Sequence, residues 1–239
     1  MTHSIRFSAS WLACLAVLAV SPLVGSLRAA AADENQADLI RLLQSDAAPG
    51  DKALACKKLA IYGTKDAVPA VAPLLTNPDL SSWARIALEA IPDPAADAAL
   101  RDALGKVQGR LLIGVINSIG VRRDADAVKP LAPKLGDADA GVASAAAIAL
   151  GRIGTKPAAD ALQPLLATAP VAVRPSIARG CLLCAERFME AGQAASATEL
   201  CDLVRKADVP KQVLVEATRT AILSRQTAAI PLLMEQLRS

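Results

Sequence analysis

The sequence predicts an all-α superhelix, an α-solenoid of about six antiparallel helical hairpins. Three observations lead there. The 239 residues include 52 alanines and only 2% aromatic residues, with 53% apolar and 21% charged. Such a chain lacks the β-branched and ring-rich runs that sheets need and is too apolar to stay unfolded. Second, one unit of sequence recurs. Leu59 to Gly63, followed by Asp66-Ala-Val-Pro69, is echoed by Asn117 to Gly120 with Asp126-Ala-Val-Lys-Pro130. It returns as Leu150 to Gly154 with Ala158 and Ala159, and as Thr227 to Leu233. Third, a small or apolar anchor and a leucine lie seven apart in these copies: Val68/Leu75, Val128/Leu135, Ala159/Leu166 and Ile230/Leu237. The leucines continue through Leu104 and Leu203 at intervals of about 30 to 40, a period of stacked helical hairpins that bury each other's apolar faces.

Residues 1–32 read as a secretory signal. Arg6 precedes a short apolar run from Ala9 to Val20, Ser21 and Pro22 break it, and Ala29 to Ala32 offer small-residue cleavage choices. The run is shorter than the roughly 20 residues of a membrane span, so an uncleaved anchor is the weaker alternative. Cys14 sits inside the run instead of at its end, which disfavours a lipoprotein site. Cleavage near Ala31/Ala32 removes Arg6, Arg28 and no acid, taking the net charge from +3 to +1. That balance leaves no electrostatic footprint for nucleic acid or anionic lipid. The expected location is exported, periplasmic or extracellular, with the membrane touched only through the signal segment if it is retained.

Residues 33–50 read as an N-terminal capping segment, with a mixed-polar helix near 34–46 that includes Gln36, Asp38 and Arg41. Residues 51–239 form the repeat array, with hairpins expected at about 51–76, 79–106, 109–136, 140–168, 172–207 and 210–238. In each copy a first helix such as Ala53 to Ile61 ends at a glycine. Gly63, Gly120 and Gly154 are the expected left-handed C-terminal residues. Asp66 is the expected N-cap of the second helix, and Val68, Val71, Ala72 and Leu75 its buried face. Pro69 fits the first turn. Pro73, Pro133 and Pro164 share one phase, five after the anchor, and should bend their helices there. Asp97 breaks the pattern where an apolar anchor is expected. Met234 to Ser239 is mixed polar and reads as the closing cap.

The chemistry-bearing residues are few. The single histidine is His3, inside the expected signal, so a mature chain has no His-dependent triad, haem ligand or histidine-containing zinc site. No carboxylate pair has a setting for acid–base work, and the Gly105–Gly109 stretch is not followed by the Lys and hydroxyl of a phosphate loop. No catalytic, cofactor or metal residue is assigned and no cofactor is expected. Cys181-Leu-Leu-Cys184 lies in a helical apolar stripe with Ile177 and Phe188, without the strand that precedes a thioredoxin-type pair. Packing as small buried residues is the simplest reading. A disulfide from Cys181 or Cys184 to Cys201, or a redox pair, are the alternatives. Arg85, Arg152, Arg179 and Arg219 recur near the ends of first helices and read as solvated or ion-paired surface, with Glu89 one turn from Arg85. Arg122-Arg123 reads as a short basic loop tip. Trp83, Tyr62 and Phe188 read as core or inter-repeat packing.

The Ala-Leu-Gly-Arg-Ile-Gly run at 149–154 and the Ala-Val-Pro and Ala-Ile-Pro starts of second helices resemble HEAT repeats, in particular the short alanine-rich kind shared with phycobilin-lyase-like proteins. Residues 180–188 depart from the pattern, with a longer first helix. The resemblance implies an α-solenoid that binds a protein or peptide partner along the concave row of second helices. The di-iron enzymes of similar repeats carry His-Glu pairs, which this chain lacks. A bilin-lyase-like activity finds no motif residue to rest on. The expected function is therefore a non-catalytic exported scaffold, with a thiol-redox protein using Cys181 and Cys184, and a phycobilin-lyase-like enzyme, as alternatives.

Overall fold

The computed structural model describes residues 35–237, and the expected signal segment, with Cys14 and the Ala31/Ala32 cleavage position, lies outside them. The described residues contain helices and turns and no strand. A short helix α1 (35–44) comes first. Six hairpins follow, their first helices being α2 (Pro49–Tyr62), α4 (Ser81–Ala90), α6 (Gly109–Arg122), α8 (Ala140–Ile153), α11 (Arg174–Glu190) and α13 (Lys211–Arg225). The second helices are of two kinds. α5 (Pro94–Ala103) and α12 (Ala194–Arg205) are continuous, whereas α3 (Val68–Val71), α7 (Val128–Leu131), α9 (Lys156–Leu162), α10 (Leu165–Thr168) and α14 (Ile230–Gln236) are short pieces.

The broken second helices follow the prolines. α3 gives way at Ala72 to a 3₁₀ turn through Thr76, and α7 gives way at Ala132 to one through Gly136. Pro73 and Pro133 sit second in those turns, and Pro164 separates α9 from α10. A proline has no N–H for the carbonyl one turn back, and its ring crowds that carbonyl. α5 is the internal control. Asp102 stands at the corresponding phase, and α5 runs unbroken from its Asp93 cap, whose side chain accepts from the Ala95 N–H at 2.9 Å.

First helices stack on first helices in chain order, and small residues set the spacing. A Cβ added to Gly120 of α6 would lie 2.8 Å from Ala149 Cα in α8. One added to Gly151 of α8 would lie 2.7 Å from Gly180 Cα in α11. These pairs stand 31 residues apart and repeat one contact. The buried face of α8 is largely alanine (Ala143, Ala146, Ala147 and Ala149), which is what lets backbones approach so closely. Larger side chains fill the space between the helix rows. Leu59, Leu88, Leu100, Ile116, Leu150 and Ile177 are fully buried, each contributing on the order of 2 kcal/mol.

Several local expectations are corrected. Of the three glycines expected to end first helices, only Gly154 is left-handed, at φ +67°. Gly63 is extended, and Gly120 lies inside α6, where its lack of a side chain serves packing; Arg123 takes the left-handed end position of α6 at φ 57°. The residue capping the turn before α3 is Thr64, whose hydroxyl accepts from the Asp66 N–H, so Asp66 falls in the first turn. α1 ends at residue 44 and the first hairpin opens at Pro49, slightly before position 51. α1 is pinned by Gln36, which is buried and exchanges two hydrogen bonds with Thr64 (2.9 and 2.7 Å).

The seven-residue anchor pattern holds early and fails late. Val68, Leu75, Ala159 and Leu166 are buried, whereas Leu203, Ile230 and Leu237 are exposed. The 17-residue α11 shifts the register of everything after it, so that Leu200, Cys201 and Val204 fill the core in place of Leu203. Near the C-terminal end Ile230, Leu233, Met234 and Leu237 are exposed.

Candidate functional site

The second-helix side carries three grooves. One of about 360 Å³ lies between the first two hairpins, lined by Pro69, Ala72, Pro73, Ala99, Asp102 and Lys106. A second, about 400 Å³, separates α10 from α12 and is lined by Gln163, Leu166, Arg174, Leu203, Lys206 and Asp208. A third, about 590 Å³, lies against α12 and Ser224, and Ala195, Thr198, Glu199, Asp202, Leu203 and Lys206 line it. The last two share Leu203 and Lys206 and so adjoin one another along α12. The prolines and the 3₁₀ turns shorten the second helices, so neighbouring second helices leave gaps that first helices close with glycine and alanine.

The charges along these two grooves are organised. Arg174 donates to a carboxylate oxygen of Asp208 at 2.9 Å. Asp202 is held by Arg225 of the next hairpin and by Arg205. Lys206 and Glu199 form no ion pair among the described residues and are exposed. Leu203 between them is 38% exposed, an apolar side chain flanked by free charges of both signs.

The thiols lie in the core. Cys56, Cys181, Cys184 and Cys201 are all buried, and none of these four forms a disulfide. Burial pushes Cys56 up to about 11, and Cys184 and Cys201 up to about 12. Burial likewise raises Cys181, with Cys184 and Cys201 as lesser causes. A raised thiol is a poor nucleophile and a poor metal ligand at neutral pH. Cys184 instead points its sulfur at the Leu150 and Gly151 carbonyls, 3.8 and 3.9 Å away. Among the described residues, no three His, Cys, Asp or Glu side chains converge as metal ligands.

The arginines divide differently from the sequence reading. Arg152, Arg179 and Arg219 are exposed. Arg85 is half-buried. Its Nη1 donates to the Gly114 carbonyl at 3.3 Å and the Ser118 hydroxyl at 3.4 Å, and Ser118 in turn donates to Glu89 at 2.5 Å. The expected direct pair with Glu89 is therefore relayed through a serine of the next hairpin. Arg122 is no loop tip. It ends α6, its side chain is 9% exposed, and it donates to the carbonyls of Leu88 (2.8 Å), Ile91 (2.6 Å) and Asp93 (3.0 Å). It also grips both carboxylate oxygens of Asp97. The interruption at Asp97 is thereby explained, and an Arg–Asp pair 25 residues apart was the signal that could have exposed it. Trp83, expected in the core or between repeats, is 37% exposed, while Phe188 is buried.

Stacked antiparallel hairpins in chain order define the class, an all-α solenoid. Residues 108–182, from the start of α6 into α11, match the family model of HEAT repeats. The matched stretch contains both close glycine contacts. A crystal structure of an engineered protein is similar at 18% identity, over 80% of this chain and 97% of that chain, with a TM-score of 0.47. No curated protein matched the chain. Among the described residues no helix is long and apolar enough to cross a membrane.

Proposed function

We propose that this chain is an exported, non-catalytic scaffold that binds a partner protein across the face of its second helices. The observation that carries the reading is the pair of grooves along α12 that both border Leu203 and Lys206. An extended segment of a partner fits such a groove: an apolar side chain packs on Leu203, and flanking charges meet Lys206 and Glu199. HEAT repeats commonly serve as protein-interaction scaffolds, which supports the class of function. The buried, raised thiols favour packing over a redox role. Export rests on the composition of residues 1–32, and N-terminal sequencing of the mature protein, expected to begin near Asp33, tests it.

The binding face is tested by affinity capture from the cell envelope with three forms of the protein. Unaltered protein is expected to retain a specific partner, Leu203→Glu to lose it, and Ile61→Glu, an exposed change on the first-helix side, to keep it. Capture that survives Leu203→Glu but fails in Ile61→Glu moves the site to the first helices and overturns the reading.

A further inference from the structure

On the first-helix side, away from those grooves, α4 and α6 enclose a pocket of about 200 Å³ lined by Pro78, Ser81, Ser82, Arg85, Arg110 and Leu111. We propose that it is a binding site for a tetrahedral oxyanion, a phosphate or sulfate group. Two guanidinium groups and two hydroxyls border it, and no carboxylate does. Ser81 is only 3% exposed, yet its hydroxyl makes no hydrogen bond to the described residues and lines the pocket. That hydroxyl opens onto the pocket and is free to bond whatever fills it.

Arg85 is set in place for this role. Gly114 gives its guanidinium room, since a Cβ there would lie 2.8 Å from Nε. Its Nη1 is tied to Gly114 and Ser118, while Nη2 bonds nothing among the described residues. Arg110 is exposed and has no ion pair among the described residues. At the start of α6 neither a side-chain cap nor an acidic residue answers the first free N–H groups, in contrast to the Asp139 cap of α8. Arg110 and Leu111 belong to that first turn and line the pocket. The donors therefore converge from two helices and several directions. A planar carboxylate would be satisfied by the fork of one arginine, whereas a tetrahedral group offers acceptors to both arginines and to Ser81 together.

Calorimetric titration of the purified protein with inorganic phosphate at low ionic strength tests the proposal. Saturable binding is expected, at least tenfold weaker in Arg110→Gln, weaker in Ser81→Ala, and unchanged in Arg152→Gln, an exposed arginine on α8. Arg110 has no structural bond to lose, so its replacement leaves the fold intact. Co-sedimentation with phosphatidate vesicles, against phosphatidylcholine vesicles, separates the sources. Uptake that Arg110→Gln abolishes assigns the group to a lipid headgroup, and its absence assigns it to a soluble phosphate. No saturable heat up to ~10 mM phosphate, or equal binding by Arg110→Gln and unaltered protein, overturns the proposal. Partner capture through the second helices is independent of either result.

Discussion

Replacing Arg122 by alanine should cost more stability than any other arginine change in the chain. The guanidinium closes the C-terminal end of α4 by binding its last carbonyls and joins it to α5 through Asp97. It thereby fixes how the third hairpin sits on the second. The Asp97 side chain is 21% exposed. Breaking a fully buried pair costs about 3–5 kcal/mol, and water reaching Asp97 and the helix end lowers this to about 2–3 kcal/mol. Arg122→Lys should recover little, because an ammonium cannot span the carbonyls and both carboxylate oxygens. Asp97→Ala combined with Arg122→Ala should lose less than the sum of the two, with a coupling of about 1 kcal/mol or more. Urea unfolding followed by far-ultraviolet circular dichroism and by Trp83 fluorescence measures this, and coincidence of the two probes tests cooperativity across the stack. A loss under ~1 kcal/mol for Arg122→Ala, or strict additivity with Asp97→Ala, refutes the clamp.

Two further outcomes follow from packing. Gly151→Ala places a methyl within 2.7 Å of the α11 backbone, which forces two helices apart; about 2–3 kcal/mol of destabilisation is expected by urea unfolding, whereas Gly136→Ala, with open space around it, should be near neutral. The thiols should react with a disulfide reagent only as fast as the protein opens. Because burial lifts Cys184 and Cys201 from 9.0 to about 12, the unfolded chain ionises first. Stability held below pH 9 should therefore fall as pH rises towards 12; rapid thiol labelling at pH 8 without unfolding, or a flat alkaline profile, contradicts the packing assignment.

The repeat period and the proline phase made the architecture legible in the sequence. A hairpin too small to bury its own face must repeat, and a repeat that must stack keeps its apolar spacing, so the six hairpins and their approximate limits could be read from Leu75, Leu104, Leu135 and Leu166. Pro73, Pro133 and Pro164 marked the positions where the second helices deviate, as a bend expected from the sequence and an interruption in the structure, because a missing N–H acts locally, whatever the neighbours do. The binding grooves were less legible. Their walls come from hairpins about 30 residues apart, and Leu203 read as a core anchor until the longer α11 turned it outward.

What the sequence alone determined is the kind of object, helix stacked on helix in chain order, since local periodicity and burial need no knowledge of distant residues. What tertiary structure decided is the role of single polar and small side chains. Gly120 became a contact surface instead of a helix end, Arg122 a clamp instead of a loop tip, and Arg85 and Ser81 the walls of a pocket. Each of those roles depends on a residue of another hairpin brought within a few ångströms, and that distance is set by how closely the backbones pack, which composition permits but does not specify.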